Sequence, residues 1–165
     1  MTIAASTNAI RAWRTLERLP NSLWVDWATE RMDAGDDTPS LRILAGLTGS
    51  FDQIDVTRLL DACLSELGVE PLDRETAVKV YASELLKNLL GNTQPVRDVL
   101  RELGDLCIQT EYDRELYPFY LLHFALWDLE DGEVQWYWDG ADRSNIDGIV
   151  RKQASEWLVR HAPGA

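Results

Sequence analysis

Histidine and cysteine are scarce in this chain and basic charge is outweighed by acidic, and each shortage removes a class of function. The 165 residues include only two His and two Cys, and no CxxC or H-E-x-x-H spacing occurs. Zinc is usually held by ligands at such short spacings, so no metal or other cofactor is expected. Cys63 and Cys107 both fall at apolar positions of predicted helices. Thiols in such places are usually buried and reduced, which argues against redox chemistry. Lys and Arg number 16 against 28 Asp and Glu, a net charge of -12. With no basic stripe to neutralise phosphates, nucleic acid and anionic lipid are disfavoured as ligands.

Long hydrophobic runs are missing too. The longest apolar stretch, Phe119 to Trp127, is interrupted by His123 and falls short of the roughly 18 residues of a spanning helix. The opening MTIAASTNAIRAWR has no basic head followed by an apolar block, so a secretory signal is not expected and a cytoplasmic location is. Catalytic signatures fail one by one. GLTGS, from Gly46 to Ser50, lacks the Lys of a phosphate-binding loop and the third Gly of a dinucleotide turn, and it reads as a helix terminator. RSNIDG comes nearest to a calcium loop, but Arg143 and Ala154 would occupy its first and twelfth places, where carboxylates are needed. Neither a G-x-S-x-G elbow nor a motif joining a cysteine to a histidine is present. Carboxylate pairs are inevitable among 28 acids and do not indicate acid–base catalysis. No catalytic residue is assigned, and a non-enzymatic protein is expected.

What the chain does have is helical periodicity, at a length that should bury roughly 68–70% of its unfolded surface. In DVTRLLDACLSELG, Val56, Leu59, Leu60, Cys63, Leu64 and Leu67 recur at spacings of three and four, with Asp55 placed to cap and Gly68 to terminate. Pro95 opens a second such helix bearing Val96, Val99, Leu100, Leu103, Leu106 and Cys107, weakened near its end by Gly104. Asp73 caps a longer one with the stripe Val78, Tyr81, Ala82, Leu85, Leu86 and Leu89. Others are predicted around Ile10 to Leu16, ending before Pro20, and from Asn21 or Ser22 to Gly35. A short helix, SLRILAGL, is apolar enough to be expected near the centre. ELYPFYLLHFALW reads as another buried helix, and the last runs from about Ser144 to His161, with Ser144 and Asp147 spaced like a capping box. The expected fold is all-α: a single domain, 1–165, of about eight helices, with a short extended hairpin or arm near 133–139. A turn recipe around Gly35, Thr38 and Pro39 is echoed at Gly91, Thr93 and Pro95; helix stop and start residues alone would produce it, with an internal duplication as the alternative.

Composition shifts most between residues 111 and 142, which carry nine aromatics and nine acids against one base, Arg114. The segment EDGEVQWYWDGADR sets Trp136, Tyr137 and Trp138 between acidic clusters. If it is extended, alternation puts Trp136 and Trp138 on one face, packed onto the helices, and Tyr137 with Gln135 on the other. Glu130, Asp131, Glu133, Trp136, Tyr137, Trp138 and Asp139 are the candidate partner surface, because Trp and Tyr are favoured anchors and an acidic rim steers a basic protein. A structural arm, a sugar platform and self-assembly into a homo-oligomer are its rivals. The alternative to a binding protein is an enzyme or small-molecule binder with an inter-helix pocket using Arg42, Tyr120 and His123. The residue types themselves favour a structural role, Arg42 as an anchor for an acidic neighbour or helix-end carbonyls and His123 as a core histidine.

The block GDDTPSLRILAGL, residues 35–47, resembles a stretch of small, uncharacterised bacterial all-helical proteins. The order of helices and the late Trp/Tyr-acidic segment resemble them more loosely. Some of those proteins are suspected immunity or antitoxin-like partners, so the resemblance implies a protein-binding role and carries no site residues.

Overall fold

The computed structural model describes residues 6–18 and 23–162. Among them are eight helices: α1 (Thr7–Thr15), α2 (Leu23–Asp33), α3 (Pro39–Ala45), α4 (Gln53–Glu66), α5 (Arg74–Leu90), α6 (Val96–Gln109), α7 (Tyr117–Asp131) and α8 (Ile146–Arg160). The all-α expectation is therefore met. Two compact units emerge, residues 1–81 and 82–165, with α5 running through the boundary. The predicted α2 opening at Asn21 or Ser22, and Pro20 before it, lie outside the described residues.

In the first unit α3 packs against both α2 and α4. Trp24, Trp27 and Ala28 of α2, Leu41 and Leu44 of α3, and Val56, Leu60, Cys63 and Leu64 of α4 share one buried cluster with Ile10. The short α3 exists because its first turn is capped twice. Thr38 Oγ1 accepts the Leu41 amide, and the Glu66 carboxylate accepts both the Ser40 amide at 3.0 Å and the Ser40 hydroxyl at 2.7 Å. Hydrogen bonds to its carboxylate, from the Ser40 hydroxyl first, then the Thr38 side chain and the Ser40 amide, hold Glu66 below the ordinary carboxylate pKa. SLRILAGL is less central than its composition suggests, since Ile43 is 58% exposed and Arg42 faces solvent. Helix α4 begins earlier than expected: Asp52, whose side chain accepts the Ile54 amide, is the cap. Asp55 sits inside the first turn, where its charge still favours the positive helix end.

The second unit is built on α6 against α7 and α7 against α8. Leu100, Leu103, Leu106 and Cys107 of α6 are fully buried, as are Leu122 and Ala125 of α7 and Val150 and Ala154 of α8. Both cysteines are free and buried, and burial raises the Cys63 thiol to about 12. Helix α8 ends in a clasp. The His161 ring stacks on Trp157 at 3.9 Å, while its Nε2 lies 2.6 Å from the Glu115 carboxylate that precedes α7. The start of α8 differs from the expected capping box. Asp142 accepts the amides of Ser144 and Asn145, and Asp147 instead pairs with Arg151 one turn on. The expected hairpin near 133–139 is not a strand: among the described residues there is no β-structure, and this segment is a chain of turns between α7 and α8.

Candidate functional site

A segment without a partner strand must satisfy its backbone by other means, and between α7 and α8 a single side chain does much of this. The Gln135 amide oxygen accepts the N–H groups of Tyr137 (2.9 Å) and Trp138 (2.8 Å). Its NH2 donates to the carbonyls of Trp138 (2.6 Å) and Ala141 (3.1 Å). Gly140, at φ +79°, supplies a left-handed turn, and the Asn145 side chain spans it by donating to the Gly140 carbonyl at 2.8 Å and accepting the Asp142 amide at 2.7 Å. The Ser144 hydroxyl and amide hold the Asp142 carboxyl below its usual pKa. Arg143 Nε donates to the Leu129 carbonyl at 2.7 Å, satisfying an acceptor left over at the end of α7.

The product of this framework is an outward tryptophan. Trp136 is 88% exposed, with Val134 beside it at 60%. The expectation that Trp136 and Trp138 pack together onto the helices is corrected: the chain turns at Gln135, so Trp136 points out and Trp138 is half-buried. Tyr137 folds back onto α7, its ring 5.4 Å from Phe124. Of the acidic candidates, Glu130 lies 3.6 Å from Arg97, whereas Asp131, Glu133 and Asp139 form no ion pair among the described residues.

Helix α7 was expected to be buried, and only one side of it is. Phe119, Leu122, Ala125 and Leu129 face the core, while Tyr117 (42% exposed) and Trp127 (54%) face water. On that outer side Tyr117 stacks on Tyr120 at 5.6 Å, and Tyr120 meets Phe124 edge-on at 5.0 Å. Tyr112 reaches Tyr120 from the α6–α7 turn, its backbone held at φ 63° after Glu111 at φ 55°. The signal for this face was in the sequence, in the spacing of Tyr117, Tyr120 and Phe124 followed by Asp128 and Asp131 at one helical pitch.

The other candidates are placed as follows. Arg42, in the first unit, is exposed and bidentate to Asp37, whose carboxyl it holds below its usual pKa. Tyr120 and His123 belong to the second unit. Partial burial, then neighbouring Tyr112, raises the Tyr120 phenol. The His123 ring lies against Gly104, 3.6 Å from where a Cβ would be, and meets the rings of Phe124 and Trp127 edge-on. Burial lowers its proton affinity. The first unit also contains an open cleft of about 440 Å³ of mixed lining, with Arg11, Arg14 and Asp61 among its walls. Both cations there are committed: Arg14 to Asp61 at 2.7 and 2.9 Å, Arg11 to the Glu70 carbonyl at 2.7 Å. Among the described residues no three His, Cys, Asp or Glu side chains converge as a metal site requires. No helix there is long and apolar enough to cross a membrane.

Compared with protein-family models, with curated proteins and with solved structures, the chain returned no match.

Proposed function

We propose that this is a non-enzymatic cytoplasmic protein that works by binding another protein, in the manner of an immunity or regulatory partner, through the loop joining α7 and α8. One observation carries the reading: Trp136 is 88% exposed on a loop whose backbone is held by Gln135, Asn145 and Arg143. An exposed tryptophan forfeits the roughly 25 cal/mol per Å² that burial would return, so a fold that holds one outward leaves that gain for an encounter. Because the loop is already ordered, docking on it costs little further conformational entropy. Tryptophan is also the residue type most enriched at energetic anchors of interfaces. Glu130, Asp131, Glu133, Tyr137, Trp138 and Asp139 then form the rim.

The test is a photo-crosslinking amino acid in place of Trp136, irradiated in source cells. A discrete partner protein crosslinked at position 136, and absent when the label sits instead at exposed Val159, is the expected result. An absence of any position-136 adduct removes the proposal.

A further inference from the structure

Helix α7 is apolar on nearly every side, yet only half of it is covered. Its outer side is a ladder of rings: Tyr117 on Tyr120, Tyr120 on Phe124, and Phe124 on Tyr137 of the following loop. His123 and Trp127 extend it laterally. The rung at Tyr112 depends on two successive residues in the left-handed region, Glu111 and Tyr112, a conformation that side-chain-bearing residues rarely adopt. Ring contacts and turn geometry thus hold the ladder in place while Tyr112, Tyr117 and Trp127 stay open to water.

Charge decides what such a ladder fits. Residues 111–142 hold nine acids against one base. Asp128 and Asp131 continue the ring stripe along α7, and Asp131, Glu133 and Asp139 have no cation partner among the described residues. Phosphate-bearing strands and anionic lipid are repelled by such a surface. A second copy would set the same acids against themselves, because a two-fold interface pairs a patch with itself. A guanidinium suits both features: it lies flat over tyrosine and tryptophan faces and pairs with carboxylates in a fork. Resting on the docking role proposed above, we infer that the α7 ladder with its acidic border is a seat for an arginine-bearing segment of the partner protein, the side chains lying over the exposed rings Tyr117 and Trp127 and pairing with Asp131 and Glu133.

Calorimetry of the full chain against three otherwise identical glycine-rich peptides carrying Arg, Lys or Gln tests this. The Arg peptide should bind at low ionic strength, at least about threefold more tightly than the Lys peptide, with none for Gln. Tyr117→Ala and Trp127→Ala, at exposed positions where melts should stay cooperative with the native helix content kept, should each weaken the Arg peptide about fivefold. Asp131→Asn with Glu133→Gln should weaken Arg and Lys peptides alike. Equal affinity for Arg and Lys, or ring variants at full affinity, would reduce the effect to bulk charge attraction and overturn the inference. Dimerisation seen by light scattering and abolished by Tyr117→Ala, or binding to phosphatidylcholine vesicles, would overturn it in favour of another occupant. The position-136 crosslink separates the two readings. A captured partner that the Arg peptide does not displace removes the arginine assignment and keeps the docking role. Ring-dependent Arg binding without any adduct does the reverse.

Discussion

His123 illustrates how much one residue's surroundings decide. Its ring lies on Gly104 and beside two aromatic rings, and burial lowers its pKa, Asp105 and Glu130 opposing this and Arg101 assisting it. The unfolded chain, with an imidazole near about 6.5, therefore binds that proton more tightly than the folded one. Stability from this group is complete above about pH 6.5, declines as pH falls towards the lower folded value, and levels off below it. The carboxyls held low by hydrogen bonds, Glu66, Asp73 and Asp142, lose their contribution only in more acidic solution. Urea melts between about pH 8 and pH 5 should show a decline that His123→Gln makes shallower. Identical slopes for the two proteins would mean the imidazole is as well solvated folded as unfolded. Gln135 is the residue the sequence concealed. Nothing in the string VQWYWD distinguishes a glutamine facing out of a strand from one whose amide replaces a missing strand.

At the scale of elements, periodicity made the helices legible because each needs a buried stripe, and the stripes of α4 and α6 lie where spacing put them. Ends were less legible. Asp52 and Asp55 are both competent caps, and the choice between them depends on where the chain enters the helix. For α7, the apolar run reads as full burial; Asp128 and Asp131, in line with the rings, hint at an outer face, and the fold adds that those rings pack on one another and on Tyr137. Gly104, expected to weaken the end of α6, lies within a helix that continues to Gln109. A Cβ there would meet His123 at 3.6 Å, ordinary van der Waals contact. Gly104→Ala should therefore stabilise the protein by about 0.5–1 kcal/mol, through helix propensity alone. Chemical denaturation measures this, with Gly148→Ala in α8, where nothing lies within 4 Å, as the comparison. A loss at Gly104 alone would mean that the His123 ring is pressed closer than this contact.

For the molecule as a whole, net charge and the placement of its rings point the same way. A net charge of -12 opposes association of like copies, which works against the aggregation that an outward tryptophan and an uncovered aromatic face would favour on a neutral surface. Acids crowd into residues 111–142 together with the aromatics, so the greasiest exposed region is also the most repulsive towards copies of itself. That coincidence was readable in composition, whereas which ring is exposed was not, since exposure depends on the turn at Gln135. The most direct measurement is fluorine NMR of the chain labelled with 5-fluorotryptophan, the Trp136 signal assigned through Trp136→Phe, in the presence of a soluble paramagnetic agent. Among the seven tryptophans the Trp136 signal should be attenuated most, and Gln135→Ala should broaden or split it as the loop loses its single conformation. A Trp136 signal as protected as that of buried Trp27, or one unchanged by Gln135→Ala, would contradict a tryptophan held ready at the surface.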